Sequence, residues 1–213
     1  MKKNKTIQLF AIIVFVLPVT AYALVSFYEK KFQKLPVYGR TKEVNGKKIK
    51  SAVGDFIFTN QDGAAISSEI WNNKIVVANF FFSHCPIVCP KMTQNLKKVQ
   101  NKYLNSDDVI LSSFTVDPER DSATQLKLYA KRFAINLSKW QLFTGDKKEL
   151  YRFARNEMMI AATDGDGGPT DFIHSDKLVL IDKQKRIRGY YDGTDDTEVN
   201  QLLTDIKKLK NEN

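Results

Sequence analysis

The apolar run IVVANFFF, residues 75–82, constrains the fold of this chain more than any other stretch. It combines β-branched and aromatic side chains, which are typical of strands, and it carries no charge. Its apolar residues do not alternate with polar ones, as expected for a strand that is covered on both faces of a sheet. The run therefore predicts a central strand in a layered α/β domain.

Strand and helix patterns alternate on both sides of this run. A hairpin around the turn at residues 60–63 precedes it, and an amphipathic helix over residues 86–103 follows it. The later elements are predicted at these positions: strand 109–116, helix 122–133, strand 140–145, a helix opened by the capping pair Asp146 and Glu149, a brief strand 158–162, a hairpin around residues 183–185, and a last helix capped by Asp195 or Asp196. This order predicts a mixed sheet flanked by helices.

The N-terminus carries an uncharged apolar stretch, residues 7–28, behind Lys2, Lys3 and Lys5. About 20 apolar residues suffice for a transmembrane helix, and lysines before it favour a cytoplasmic N-terminus. We therefore expect a cytoplasmic segment 1–6, a single-pass anchor 7–28, a basic tether 29–50 and an extracytoplasmic domain 51–213. A cleaved secretory signal, with the A-x-A site at residues 21–23, is the alternative, and both interpretations export the domain.

The net charge of +9 does not indicate a nucleic-acid-binding protein. The basic residues are scattered as lysine pairs such as Lys47-Lys48 and Lys97-Lys98, without interleaved aromatics or zinc-finger spacing. Solvated helix faces account for this charge.

The segment HCPIVCP, from His84 to Pro90, holds the only two cysteines of the 213 residues. It follows the predicted central strand, so Cys85 falls where that strand ends and the next helix begins, with Pro86 expected in the first helical turn. If Cys89 lies in that turn, both sulfurs point to one side, where the helix N-terminus favours thiolates. A structural disulfide is disfavoured because it would close only a very short loop. A structural zinc site is disfavoured because it takes about four ligands, and the chain holds only two Cys and two His.

Two thiolates and one imidazole would form a soft, low-coordinate set that suits Cu(I), and imidazole also suits Cu(II). The chain offers two histidines. His84 adjoins Cys85, so its side chain is expected to leave the strand in another direction and to play a packing or outer-shell role. His174 precedes the predicted strand KLVLID, and it reaches the cysteines only if that strand lies beside the central one. The residues alone leave this question open.

Three blocks of the sequence, FFFSHCPIVCP, TVDPERDSATQLKLYAKRF and DFIHSDKLVLIDKQKRIRGYYDG, resemble the Sco/SenC family of copper chaperones for cytochrome c oxidase assembly. The resemblance runs from about residue 52 to the C-terminus and implies a thioredoxin-like fold. It also implies that Cys85, Cys89 and His174 are copper ligands. Asp117 is implied to lie in a loop beside the site, where it tunes the site or its contacts with a partner. Ile173 stands where many members have Asp.

Two functions follow as hypotheses. The first is a metallochaperone that carries Cu(I) or Cu(II) to the oxidase subunit with the dinuclear copper site, with another copper chaperone or a thiol reductant as a further partner. The second is a thiol–disulfide oxidoreductase whose redox pair is Cys85 and Cys89. A third ligand, His174, distinguishes the two, and redox enzymes of this fold usually use Cys-x-x-Cys rather than the longer spacing found here.

Overall fold

The computed structural model describes residues 10, 12–32, 34–44, 46–160 and 175–212. The chain divides into two compact units between Lys34 and Leu35. The first unit contains a π-helical segment, Ile12–Val16, followed by helix α1, Leu17–Phe32. No helix among the described residues combines the length and apolar character that crossing a membrane requires.

A two-stranded antiparallel hairpin opens the second unit. Strand β1, Thr41–Val44, pairs with strand β2, Lys47–Lys50, and Gly46 takes the positive φ of 73° that the tight connection requires. The hairpin lies within the stretch predicted as a tether, and it belongs to the same compact unit as the rest of the domain.

A mixed seven-stranded sheet forms the centre of the second unit, in the order β4-β3-β7-β6-β5-β8-β9. Strands β5, β6 and β7 run parallel, and the remaining neighbours are antiparallel. The strands are β3, Ile57–Asn60; β4, Ala65–Ser67; β5, Ile75–Phe81; β6, Val109–Thr115; β7, Trp140–Thr144; β8, Lys177–Ile181; and β9, Ile187–Asp192. The predicted mixed sheet, central strand and hairpin around residues 60–63 are confirmed.

Both faces of the sheet are covered, so every residue of β5 is buried. On one face, Ile75, Val77 and Phe81 pack in a core with apolar residues of three helices. These helices are α2, Val88–Lys102; α3, Ala123–Arg132; and α5, Asp196–Asn211. Helix α4, Lys147–Arg152, contributes Leu150 to the core on the other face.

Aromatic side chains dominate that second core. Phe56 packs edge-on against Trp71, Phe114 and Phe153 at centroid distances of 4.9–5.5 Å. The indole N–H of Trp71 donates to Ser112 (3.0 Å), so burial leaves its polar atom paired.

Two further sequence expectations, both in the second unit, differ from the structure. Helix α2 begins at Val88 with Ile87 as its N-cap, so Pro86 precedes the helix and does not lie in its first turn. The brief strand predicted at 158–162 is wrong for residues 158–160, which follow a π-helical turn, Phe153–Glu157, and include the positive φ of Met159. Met158 is apolar because it is buried in the aromatic core, and periodicity cannot distinguish that burial from a strand.

A buried arginine fixes the start of the second unit. Arg188, on β9, donates to the carbonyls of Leu35 (2.7 Å) and Pro36 (3.0 Å). It also contacts the carboxylates of Asp182 (3.0 Å) and Glu212 (2.8 Å). Four acceptors around one guanidinium tie the first residues of the domain to the last described residue, near the end of the sheet where β5 begins.

Candidate metal centre

The two cysteines lie at the strand-to-helix junction that the sequence predicted. Strand β5 ends at Phe81, and a turn over residues 82–85 is closed by the N–H of Cys85, which donates to the carbonyl of Phe82 (3.2 Å). Helix α2 starts three residues after Cys85, and its N-cap, Ile87, has no side chain that could accept from the free N–H groups of the first turn. The sulfur of Cys85 accepts there instead, from the N–H of Cys89 (3.3 Å).

Cys85 is the activated thiol of the pair. Both cysteines are free, and Cys85 is partly exposed. Burial disfavours its thiolate, but donors from Cys89, Ile87 and Val88 outweigh burial and lower the pKa of Cys85 below its ordinary value. The helix start thus favours a thiolate at this position.

Cys89 is the opposite case. Its side chain is buried, and this burial raises the pKa of the Cys89 thiol to about 12. The N–H of Phe82 donates to the Cys89 sulfur, while negative charge on Cys85 and Asp121 adds to the rise. The main chain of Phe82 therefore contacts both cysteines, through its N–H to Cys89 and through its carbonyl to Cys85.

An open cleft of about 650 Å³ adjoins the pair. Cys85 and Cys89 line it together with the exposed Ile87, which is 74% accessible. Ile160 and Ser175, the described residues on either side of the stretch 161–174, also line the cleft. The cleft therefore lets a small ligand or a partner group approach the pair of cysteines.

The structure brings together two of the three predicted ligands. Cys85 and Cys89 meet at the cleft, whereas His174 lies outside the described residues, as do Ile173 and the Gly-rich loop before it. Among the residues that the structure does describe, no group of three or more His, Cys, Asp or Glu side chains could hold a metal ion. Strand β8, which follows His174 in the chain, pairs with β5 as the sequence argument required.

His84 points toward a polar network. Its Nδ1 lies 3.0 Å from Ser83 Oγ and 3.8 Å from a carboxylate oxygen of Asp121, and half of its side chain is exposed. Cys85 lines the cleft, whereas its neighbour His84 is not among the described residues that line it. This position is compatible with the outer-shell role expected of His84, which stays a prediction.

Asp117 lies in the loop after β6, where its neighbour Val116 lines the cleft. Its carboxylate is mostly buried, and Arg120 Nε lies 2.6 Å from Oδ2 in an ion pair without aligned hydrogen-bond geometry. The N–H of Asp117 donates to Thr115 (3.0 Å). These contacts fix the loop next to the cleft, and any influence of Asp117 on a metal stays a prediction.

Sequence reasoning did not single out Asp121. This residue is fully buried and accepts hydrogen bonds from Ser83 and Thr115 at the ends of the two central strands. Its position as the last residue of VDPERD, directly before the helix cap Ser122, was the available signal. The sequence alone does not indicate that this loop meets the turn before Cys85.

A mixed sheet whose central strand leads through a turn into a helix, with one cysteine in the turn and the other in the first turn of the helix, defines a thioredoxin-like α/β protein. Within that class, the sequence model of the SCO1/SenC family matches residues 45–211. The chain belongs to this family.

Relatives with known names support the assignment. The chain is 31% identical over 157 residues to the SCO1 protein homolog of Bacillus subtilis (strain 168), covering 73% of this chain and 81% of that protein. It is similar to the solved structure of BsSco, a member of the Sco family of cytochrome c oxidase assembly proteins with an identified disulfide switch (TM-score 0.65, 29% identity, 76% of this chain and 95% of that chain). It is also similar to the copper-bound crystal structure of Arabidopsis thaliana ScoI (TM-score 0.60, 25% identity, 74% and 99%).

Proposed function

We propose that this protein is a copper-binding metallochaperone that assists assembly of the dinuclear copper centre of cytochrome c oxidase. The observation that carries the proposal is the pair of free cysteines at the start of α2, which face one open cleft. In this role, copper is the cargo, and the oxidase subunit with the copper site is the partner that receives it. The assembly role described for BsSco and the copper bound to Arabidopsis thaliana ScoI support it.

The donor set fits copper better than other metals. Two thiolates are soft ligands, which select Cu(I), and Cys85 and Cys89 would hold it. We propose His174 as the third ligand because Ser175, the next residue in the chain, lines the same cleft as the cysteines. An added imidazole would extend the site to Cu(II).

The difference in pKa between the two thiols gives copper loading a direction. Cys85 is the thiol that deprotonates first, so it is the natural first point of attachment for an incoming ion. Cys89, with a pKa of about 12, becomes a ligand only when the metal displaces its proton. Copper loading therefore releases at least one proton from the protein. When the protein passes copper to a partner, it takes up at least one proton again.

We propose further that residues 7–28 anchor the protein in the cytoplasmic membrane with the domain on the extracytoplasmic side. Support comes from the uncharged composition of this stretch and from the lysines Lys2, Lys3 and Lys5 before it. This arrangement would place the cysteines in the compartment that faces the copper sites of a terminal oxidase.

A titration with both oxidation states of copper tests the ligand assignment. His174→Ala is expected to abolish stable Cu(II) binding, with its sulfur-to-copper charge-transfer absorption, because two bare thiolates tend to reduce Cu(II). The same substitution weakens Cu(I) binding without eliminating it. The matched control His84→Ala keeps the absorption. Loss of the absorption in His84→Ala but not in His174→Ala would overturn the assignment.

A thiol–disulfide oxidoreductase is the second candidate. The observation in its favour is the unequal pair, a partly exposed Cys85 with a lowered pKa beside the buried Cys89, which suits an attacking and a resolving thiol. The disulfide switch identified in BsSco agrees with such chemistry. Rapid reduction of a partner's disulfide by protein that does not bind copper tightly would favour this function over the first.

A further inference from the structure

Asp121 is a buried carboxylate held by neutral donors. Its side chain is fully inaccessible. Oδ2 accepts from the N–H of Ser83 (3.0 Å) and from the hydroxyl of Thr115 (2.5 Å), and Oδ1 accepts from the hydroxyl of Ser83 (2.5 Å). Burying a carboxyl group is unfavourable unless hydrogen bonds compensate, and these three donors supply that compensation.

The three donors lie at or just beyond the ends of the two central strands of the sheet. Thr115 is the last residue of β6, and Ser83 follows the end of β5, with Phe81 paired to Thr115 in the parallel register. Asp121 therefore fastens the chain that leaves β5 to the end of the neighbouring strand. Two of its three bonds go to a single residue, Ser83.

Ser83 occupies the turn that presents both cysteines. It is the first of the two central residues of the turn over residues 82–85. Phe82, which starts this turn, contacts Cys89 through its N–H and Cys85 through its carbonyl. A shift of Ser83 would turn both peptide groups of Phe82 and so move the two sulfurs relative to each other.

We infer that Asp121 is a positioning residue, which holds the turn before Cys85 so that the sulfurs of Cys85 and Cys89 converge on one ligand. This inference rests on the proposed function as far as copper is the ligand. It predicts that convergence of the two sulfurs requires the three hydrogen bonds to Asp121, which form its hydrogen-bonding frame. It also predicts that the negative charge of Asp121 is not required.

Two substitutions separate frame from charge. Asp121→Asn removes the charge but keeps an oxygen that accepts from Ser83 N–H and Thr115, while its NH₂ group donates to Ser83 Oγ. The hydroxyl hydrogen of Ser83 can then turn to His84 Nδ1, 3.0 Å away. Asp121→Ala removes both charge and frame. Both variants lack the charge, so any difference between them reports how the hydrogen bonds of this residue position the turn before Cys85.

The first measurement is Cu(I) affinity, by competition with a chromophoric chelator, on reduced full-length protein in detergent. Asp121→Ala is expected to bind about tenfold more weakly or worse, which is the usual effect of losing an outer-shell partner, whereas Asp121→Asn stays close to the wild type. Ser83→Ala, which removes one of the three donors, is expected to fall in between. Ser83→Ala also keeps the test decisive if Asp121→Ala does not fold.

The second measurement needs no metal. In glutathione buffers the two thiols give up two protons and two electrons to form a disulfide, while glutathione disulfide takes them up as two glutathione thiols. The equilibrium reports how well the two sulfurs are oriented toward each other. Asp121→Ala is expected to disfavour the disulfide by about tenfold relative to Asp121→Asn, in line with its expected loss of copper affinity.

Asp182→Ala is the matched control. Asp182 is also a buried carboxylate, but it accepts from Arg186 and Arg188 at the opposite end of β5. It is expected to lower thermal stability without changing copper affinity or the disulfide equilibrium. Equal behaviour of Asp121→Ala and Asp121→Asn in both measurements, or an equal loss in Asp182→Ala, would overturn the inference.

The two proposals fail separately. Wild-type protein that binds copper no better than a Cys85→Ser, Cys89→Ser variant would refute the metallochaperone, while the glutathione equilibrium would still decide the role of Asp121.

Discussion

The two cysteines differ in protonation although only three residues separate them. Cys85 lies among free N–H groups at the start of α2, and Cys89 lies one half-turn into the helix, against the apolar core. A helix N-terminus and a hydrophobic core act in opposite directions on a thiol, so one chemical group acquires two reactivities.

Alkylation of the reduced, metal-free protein is expected to be selective. At pH 8 a thiol with a pKa of about 12 is ionised in about one molecule in ten thousand, so Cys89 reacts slowly, whereas the lowered pKa of Cys85 makes it the main target of iodoacetamide. Peptide mass spectrometry after a short reaction measures the ratio. Cys85→Ser should lose nearly all modification at this pH, and predominant labelling of Cys89 would contradict the assignment.

Individual elements explain which parts of the fold could be predicted. Strand β5 and the hairpin of β8 and β9 are evident in the sequence because their apolar runs and turns are local features. The pairing of β5 with both β6 and β8 is a long-range property, and so is the contact of Asp121 with Ser83. The cysteines could be predicted as a site because they share one short motif, whereas Asp121 reaches that site only through the parallel register of two strands.

Lys210, in the last turn of α5, forms an ion pair with Asp108, which directly precedes β6. Burial opposes ionisation of Asp108, but hydrogen bonds from Lys210 (2.6 Å) and Ser106 (2.7 Å) outweigh it and lower the pKa of Asp108 to about 2. A carboxylate whose pKa is depressed on folding stabilises the native state above its unfolded pKa near 4, and that contribution is lost as the pH falls through about 2.

Asp108→Asn is therefore expected to lower the free energy of unfolding by about 1 kcal/mol at pH 7, since partial exposure screens the ion pair. The deficit should shrink between pH 4 and pH 2, where the wild type becomes protonated too. Urea unfolding at several pH values measures it. Asp107→Asn, at the neighbouring and fully exposed carboxylate, serves as the control and should change little. A deficit that persists at pH 2 would rule out the electrostatic explanation.

At the scale of the whole molecule, the cleft and the start of the domain lie near opposite ends of the sheet. The cysteines follow the last residue of β5, whereas Arg188 holds Leu35 near the end where β5 begins. Seven residues of strand span roughly 20 Å. The cleft is therefore separated from the point where the preceding segment joins the domain.

Arg188→Met is expected to destabilise the domain by about 3 kcal/mol. Asp182 keeps only the more exposed Arg186, Glu212 loses its cation, and the carbonyls of Leu35 and Pro36 lose their donor. Denaturant unfolding of the two proteins gives the difference. Arg186→Met removes a more exposed arginine from the same Asp182 and should cost under about 1 kcal/mol. Similar losses of unfolding free energy in the two variants would show that the burial of Arg188 is unimportant.

Removal of residues 1–28 is expected to leave a soluble, folded domain, because the sheet and its helices lie beyond them. A fragment that starts at residue 51 should also be less stable than one that starts at residue 35, since it lacks both carbonyls that Arg188 binds. Thermal unfolding monitored by circular dichroism compares them. Identical midpoints would contradict the importance of this contact.

The hydrogen bond from Leu35 N–H to the Glu212 carboxylate, 3.2 Å long, makes the two ends of the domain neighbours. A short peptide could therefore join them into a closed ring, and new ends could be opened in the exposed turn at residues 62–64. Such a circular permutant would keep every contact around the cysteines while being connected to its surroundings from a different place. The chemistry of the cleft and the way the domain is attached are thus separable properties of this architecture.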